Sequence, residues 1–155
     1  MVGFNGGTTT TATARHFMAR PDVASGSTRE PTTVVTNALN IATELVLRPA
    51  IRCVTLGGVA RAESYEQTGS LAIQVMEQLW LDLLILGVGG IDRSAGATCR
   101  HEDEAGISAA MAAHADRGGG SAARGRGRDR HRRRPRGRVY RRSPVTTGHR
   151  PRGWR

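Results

Sequence analysis

A glycine pair followed by four threonines is the segment of this sequence best suited to hold a ligand. Gly6 and Gly7 follow a short apolar stretch, and Thr8–Thr11 begin a segment with helix-forming character. At a strand-to-helix turn, backbone N–H groups, the positive end of the helix dipole and hydroxyl groups together favour a phosphate. The segment is not a P-loop, because no Gly-Lys-Ser/Thr follows it. The alternative is a plain glycine turn with Thr8 as the helix N-cap.

Three further strand ends carry glycine or a short polar side chain. Asn37 follows the β-branched stretch 32–36, and Gly57-Gly58 follows the apolar stretch 51–56. Gly87-Val88-Gly89-Gly90, with Asp92 just beyond, ends a continuous apolar stretch. Parallel strands bring their carboxyl ends to one edge of a sheet, where α/β ligands bind, so these groups could meet at one site. The structural alternatives are Asn37 as an N-cap and Asp92 as a turn cap.

The other polar clusters do not form a recognisable catalytic or metal-binding set. Arg61, Glu63 and Ser64 stand close together, and a solvated loop accounts for them equally well. The three acids at 102–104 open an Ala-rich segment, where they suit the dipole of a helix. The cysteines are not paired in a CxxC motif, and the histidines show no metal-ligand spacing. The sequence therefore predicts no cofactor, no metal ion and no catalytic residue.

Apolar stretches alternate with segments of helical periodicity, which predicts an α/β fold with a parallel sheet. We expect loops over 21–31 and 61–69, where polar residues and glycine or proline dominate. In the helix over 70–80 we expect Leu71, Val75, Met76 and Leu79 to share the buried face. The predicted strands are 2–4, 32–36, 51–56 and 83–88, and the predicted helices are 8–19, 39–47, 70–80 and 102–115.

The charge of this chain is concentrated in its last 38 residues. Residues 1–117 contain 9 Arg and 12 Asp or Glu, whereas residues 118–155 contain 14 Arg and one acid, Asp129; the whole chain has no Lys. The second segment has too few apolar side chains to offset a chain entropy of about 1–2 kcal/mol per residue. We therefore predict one domain over 1–117 and a disordered Arg/Gly-rich tail over 118–155.

The sequence gives no sign of secretion or membrane insertion. No apolar run approaches the roughly 18 residues that a membrane span needs. The first residues lack the charged region and the long apolar region of a signal peptide. We therefore expect a cytoplasmic protein without a membrane partner.

A collinear set of blocks over residues 2–117 points to a known family. The blocks are Gly7-Thr8-Thr9-Thr10, Val34–Ala42, Leu56-Gly57-Gly58 with Arg61, Glu63 and Ser64, Gly69, Leu86-Gly87-Val88 with Gly90-Ile91-Asp92, and Glu102–Ala105 with Met111. Together they resemble the C-terminal effector-sensing domain of DeoR-type bacterial transcriptional regulators.

The resemblance implies a Rossmann-like fold related to sugar-phosphate isomerases, used for sensing rather than turnover. It implies a phosphorylated sugar or related metabolite as effector, bound at the strand ends. In such regulators an N-terminal winged helix-turn-helix holds operator DNA, and the ligand shifts the operator-binding population. We expect complete members to be homo-oligomers. The ligand-binding residues predicted in this way are Gly7, Thr8, Thr9, Thr10, Asn37, Gly57, Gly58, Gly90 and Asp92.

The sequence departs from the family pattern at both ends. No helix-turn-helix precedes Met1, and the family's Asp–x–Ser–Lys segment does not follow Arg117. We therefore expect an incomplete sheet in a regulator fragment whose reading frame changes near Arg117. Two alternatives remain open: a sugar-phosphate isomerase or deaminase of the same fold, and non-specific nucleic-acid binding through the Arg-rich tail.

Overall fold

A parallel β-sheet lies at the centre of the computed structural model, which describes residues 1–25, 31–92, 96–122 and 139–140. The strands are β1 (Val2–Phe4), β2 (Thr32–Thr36), β3 (Ile51–Thr55), β4 (Val59–Ala60), β5 (Gln67–Thr68), β6 (Leu83–Val88), β7 (Gly90–Asp92), β8 (Gly96–Thr98), β9 (Gly118–Ala122) and β10 (Val139–Tyr140). The helices are α1 (Thr8–Met18), α2 (Pro21–Ala24), α3 (Leu39–Leu45), α4 (Ser70–Met76) and α5 (Glu102–Ala113).

Five strands form the main sheet, in the order β3-β2-β1-β6-β9, and all its pairs are parallel. Val2 of β1 aligns with Val34 of β2 on one side and with Leu83 of β6 on the other. The chain thus builds outward from β1 through β2 to β3, and then returns to the opposite side of β1. This arrangement confirms the predicted α/β class with a Rossmann-like parallel sheet.

Successive strand residues enter two different cores, because side chains alternate across a sheet. Val34 belongs to a cluster that includes Phe4, Ile41 and Leu45, and that α1, α2 and α3 complete. The next residue, Val35, belongs to a second cluster, in which α4 and α5 contribute Met76, Ile107 and Met111. The sheet is therefore covered on both faces, which accounts for the continuous apolar sequence of its strands.

The two long connections hold short antiparallel strands. β4 pairs with β5, and β7 pairs with β8, which in turn pairs with β10. The prediction of a loop over 61–69 was wrong at its end, because Gln67 and Thr68 form β5. The prediction over 21–31 was wrong at its start, where Pro21 occupies the first turn of α2, a position that needs no backbone N–H. Residues 26–30 lie outside the described residues.

The helices are shorter than predicted, and α1 begins differently. Gly7, not Thr8, is the N-cap of α1, with φ of 114° and no side-chain cap. This backbone conformation is open to glycine and strained for other residues. The helices that we extended to residues 47, 80 and 115 end at Leu45, Met76 and Ala113.

The buried face of α4 differs from the predicted one. Ala72 and Met76 are fully buried, whereas Leu71 is 63% exposed and Val75 is 37% exposed. Met76 and Leu79 pack in the second core as expected. The prediction failed for Leu71 and Val75 because the helix presents its smallest apolar residue, Ala72, to the narrow space beside Gly58.

The segment that we predicted to be disordered contributes a strand. Gly118–Ala122 pairs in parallel with β6, from Leu84 opposite Gly118 to Val88 opposite Ala122. The segment has few apolar side chains, but its backbone pairs with N–H and C=O groups of β6 that need partners. Residues 123–138 and 141–155 lie outside the described residues. In the described part of the chain, no helix has both the length and the apolar character needed to cross a membrane.

Candidate functional site

A cavity of about 600 Å³ opens at the carboxyl ends of β1 and β6. These strands are neighbours in the sheet, although β2 and β3 come between them in sequence. The chain leaves β1 toward one side and β6 lies on the other, which is the topological switch point where α/β sheets bind ligands. The cavity is lined by the turn after β1, the end of β6, the start of α1, the β4–β5 connection and the start of α5.

The Gly-Thr turn forms one wall of this cavity. Gly7, Thr8, Thr9 and Thr10 all line it. The Thr11 N–H donates to the Gly7 carbonyl over 2.9 Å, which closes the first turn of α1. The N–H groups of the residues before Thr11 have no partner within the helix, as at the start of any α-helix. The wall therefore combines N–H donors, hydroxyls and the positive end of a helix dipole.

The starts of α1 and α5 both reach the cavity but differ in charge. α1 has no acidic residue in its first turn, whereas α5 has Glu102, Asp103 and Glu104 there. An anion at the start of α5 would meet three carboxylates of that helix, whereas α1 contributes none of its own and the carboxylate nearby is that of Glu66. The electrostatics therefore favour an anion at the Gly-Thr turn.

Asn5 ties this turn to the neighbouring strand. Its Oδ1 accepts from the Gly87 N–H over 2.6 Å, and its Nδ2 donates to the Gly87 carbonyl over 2.8 Å. Its side chain also contacts Ser108 Oγ at 3.3 Å and accepts from Thr10 Oγ1 at 3.5 Å. Asn5 is only 2% exposed. It fixes β1, β6, α1 and α5 relative to one another beneath the cavity.

The structure does not bring all the predicted ligand residues together. Four of the nine, Gly7 to Thr10, line the cavity, but Asn37, Gly57, Gly58 and Gly90 are not among its lining residues. Asn37 is fully buried behind the wall, where its Nδ2 donates to Glu66 Oε2 and the Gln67 carbonyl, both at 3.2 Å. It therefore supports a lining residue. Asp92 ends β7, and its side chain lies outside what the structure describes.

Gly57, Gly58 and Gly90 serve the connections beside the cavity. Gly57 and Gly58 both have positive φ, where the chain turns from β3 into β4. A Cβ on Gly58 would meet the Thr68 carbonyl, so the turn packs against β5. Gly90 begins β7, opposite Thr98. Direct ligand contact by these glycines and by Asp92 stays a prediction.

Glu66 places a carboxylate in the cavity wall, although it is only 6% exposed. The pKa of this carboxyl is raised from its ordinary value to about 7, mainly by burial and to a lesser extent by the nearby charge of Glu104. Hydrogen bonds from Asn37 and the Gly6 N–H, together with the charge of Arg61, lower it. The group therefore changes its charge close to neutral pH.

Three ion pairs, made by Arg61 and Arg15, include residues that line the cavity. Arg61 Nε lies 3.3 Å from Glu104 Oε1, without the alignment of a hydrogen bond, and Arg61 also lies 3.9 Å from Glu63. Arg15 binds Glu44 with both Nε and Nη2, at 2.6–3.0 Å. Of the cluster that a solvated loop could have explained, Glu63 and Ser64 line the cavity, and Arg61 pairs with the lining residues Glu63 and Glu104.

Two polar atoms of the lining residues are buried without a hydrogen-bond partner in the described part of the chain. They are Ser64 Oγ and Asn40 Oδ1. The other end of the Asn40 amide donates to Thr11 Oγ1 over 2.9 Å, which fixes its orientation. A polar ligand would satisfy such atoms, which otherwise remain costly to bury. Among the described residues, no group of three or more His, Cys, Asp or Glu is placed to hold a metal ion.

Several residues that line the cavity were not predicted from the sequence, and they differ in whether the sequence contained a signal for them. Asn5 ends an apolar stretch just as Asn37 does, so the same strand-end rule could have found it. Glu66 had no such signal, because its burial depends on a hairpin that folds back over the Gly-Thr turn. Cys99, Arg100 and His101 enter the cavity through the connection before α5.

The parallel sheet and the cavity at its switch point define an α/β ligand-binding domain. Residues 1–118 match the family described as the DeoR C terminal sensor domain, and the chain belongs to this family. Over 111 residues the chain is 32% identical to a protein of Escherichia coli O157:H7 named as an aga operon transcriptional repressor. The match covers 72% of this chain and 38% of that protein. The chain thus spans well under half the length of this relative.

Proposed function

We propose that this domain senses a small phosphorylated sugar or a related metabolite. The observation that carries the proposal is the cavity at the switch point, where the Gly-Thr wall combines hydroxyl groups with the start of α1, a helix without an acidic residue in its first turn. The phosphate binds at Gly7, Thr8, Thr9 and Thr10, and the rest of the ligand fills the space toward Asn40, Ser64 and Glu66. Membership of the sensor-domain family supports a ligand that is sensed rather than converted.

The regulatory context follows from the relative named as a transcriptional repressor. In a full-length regulator that contains this domain, a DNA-binding domain holds the operator and the effector shifts its affinity for DNA. We expect such a regulator to be a cytoplasmic homo-oligomer. The Arg-rich segment that could bind nucleic acid falls largely outside the described residues, and no specific observation favours that function.

A thermal-shift experiment tests the proposal on the 155-residue chain. Glucose 6-phosphate and inorganic phosphate should raise the melting temperature, and glucose should not, because a ligand stabilises the fold it binds. Thr8→Ala combined with Thr9→Ala should weaken phosphate binding about 10-fold or more through lost hydrogen bonds to a charged group. Thr55→Ala, at an exposed position of β3 that does not line the cavity, is the matched control.

Two results would count against the proposal. Equal stabilisation by glucose and glucose 6-phosphate would remove the role of the phosphate. Conversion of glucose 6-phosphate, seen as a new phosphorus resonance by nuclear magnetic resonance, would favour the isomerase alternative, for which Glu66 would be a suitable base at neutral pH.

A further inference from the structure

The carboxylate of Glu66 approaches the turn that is proposed to hold the phosphate. It accepts a hydrogen bond from the Gly6 N–H, and a Cβ on Gly6 would overlap its Oε1. Residue 6 therefore has to be glycine for Glu66 to occupy this place. The carboxylate and the Gly-Thr turn line the same cavity, so a phosphorylated ligand on the turn would meet Glu66 with the atoms next to its phosphate.

The backbone holds Glu66 in this direction. Tyr65 has φ of 58°, which is uncommon for a residue with a side chain and reverses the chain just before Glu66. The Tyr65 N–H donates to the Arg61 carbonyl over 2.8 Å, and the Leu39 N–H donates to the Tyr65 carbonyl over 2.9 Å. The Asn37 amide then fixes the carboxylate itself. Such local strain persists where surrounding contacts enforce it, and it is common at ligand sites.

The charges around Glu66 are mostly negative inside the cavity and positive at its mouth. Glu104, 15% exposed, lies close enough to raise the pKa of Glu66. Arg61 is paired with Glu104 and Glu63. The lining residues Arg100 and His101 are exposed. A ligand group beside Glu66 therefore faces acceptors and negative charge, which suits hydroxyl groups and disfavours a second anion.

We infer that Glu66 determines ligand specificity: its carboxylate accepts hydrogen bonds from the hydroxyl groups of a phosphorylated polyol or sugar and, together with Glu104, repels phosphorylated carboxylic acids. The inference rests on the proposed phosphate site. Hydrogen bonds to a buried carboxylate are stronger than those between neutral groups. A carboxylate of the ligand would be repelled by the buried carboxylate of Glu66 more strongly than by an exposed one, because less water screens the charges.

Two small probes of similar shape test this inference. Glycerol 3-phosphate and 3-phosphoglycerate differ only in a hydroxymethyl group against a carboxylate, and inorganic phosphate reports on the Gly-Thr turn alone. Titrations of the 155-residue chain followed by phosphorus nuclear magnetic resonance at pH 8.5 would give the three affinities with Glu66 ionised. We expect glycerol 3-phosphate to bind about 10-fold more tightly than 3-phosphoglycerate, because one charged contact is exchanged for repulsion.

Glu66→Gln keeps the size of the side chain and removes its charge. In this variant we expect the preference for glycerol 3-phosphate to shrink to about threefold or less, while inorganic phosphate binds no more weakly than to the unchanged chain. Glu77→Gln, at an exposed position after α4 and away from the cavity, is the matched control and should keep the full preference.

The outcomes separate this inference from the proposed function. An unchanged preference in Glu66→Gln would overturn the inference and leave the phosphate site standing. No binding of any of the three probes by the unchanged chain would overturn both. If Glu66→Gln fails to fold, Glu66→Asp decides: the retained charge should keep the discrimination against the acid, while the shorter side chain weakens glycerol 3-phosphate binding. If Glu66→Asp binds glycerol 3-phosphate as tightly as the unchanged chain does, the inference is wrong.

Discussion

Asn5 and Gly87 exchange two hydrogen bonds through the side chain of the first and the backbone of the second. The Asn5 amide occupies both the N–H and the carbonyl of Gly87, at 2.6 and 2.8 Å. A side chain thus takes the place of a strand partner where β1 has ended and β6 continues. This contact holds the ends of the two strands together beneath the cavity.

Asn5→Ala should lower the free energy of unfolding by about 1–3 kcal/mol, because it leaves the buried polar groups of Gly87 without their partner. Urea denaturation followed by circular dichroism would measure the change. Gln74→Ala, at an exposed position of α4, is a control that should change stability by no more than about 0.5 kcal/mol. Equal stability of Asn5→Ala and the unchanged chain would show that the amide is dispensable.

Gly7→Ala should destabilise the domain by about 1–3 kcal/mol, because φ of 114° with ψ of 154° is a backbone conformation almost restricted to glycine. It should also weaken binding of inorganic phosphate, since the first N–H groups of α1 would shift. Gly106→Ala provides a contrast within α5, where a Cβ would meet Ile73 Cδ1 at an ordinary 3.8 Å. That change should stabilise the domain by about 0.5–1 kcal/mol. Unchanged or higher stability of Gly7→Ala in urea denaturation would contradict the role given to Gly7.

The raised pKa of Glu66 predicts that the domain loses stability as pH rises from about 4.5 to about 7. In this window the folded state keeps a proton on Glu66 that the unfolded chain has released, so raising the pH favours unfolding. The contribution is about 3–4 kcal/mol, because the pKa rises from 4.5 to about 7 and one pKa unit corresponds to about 1.4 kcal/mol. Below pH 4.5 both states are protonated and the effect disappears.

Glu66→Gln isolates this contribution from the other titrating groups. The difference in unfolding free energy between the variant and the unchanged chain should grow in favour of the variant between pH 5 and pH 7.5. Urea denaturation at several pH values would supply both curves. Parallel curves would mean that Glu66 titrates as an ordinary exposed carboxyl.

The two apolar positions of α4 should respond very differently to truncation. Met76→Ala should cost about 2–5 kcal/mol, because it opens a cavity in the second core. Leu71→Ala should change stability by less than about 0.5 kcal/mol, because Leu71 is 63% exposed. Urea denaturation of both variants decides which face of the helix is buried in solution. A large loss of unfolding free energy in Leu71→Ala would show that Leu71 is buried, as periodicity predicted.

The sequence predicted those features that depend on a few consecutive residues. Strand β6 and the Gly-Thr turn follow from local apolar runs, glycine and hydroxyl groups, and the structure places them as expected. Periodicity could not fix the orientation of α4, because Leu71 and Ala72 are both apolar and only the shape of the neighbouring turn distinguishes them. Periodicity could not identify Glu66 either, because Glu66 packs against Gly6, and the two residues are 60 positions apart in the sequence.

The cavity between β1 and β6 is bordered by parts of the chain that are synthesised at different times. Asn5 and Gly87 are separated by 82 residues, so a nascent chain that has passed the Gly-Thr turn still lacks the opposite wall. A ligand in the cavity would contact both the first and the later parts of the chain and would stabilise the folded arrangement that brings them together. A ligand that binds only the folded domain would therefore raise its stability and lower the fraction of unfolded chain that proteases can degrade.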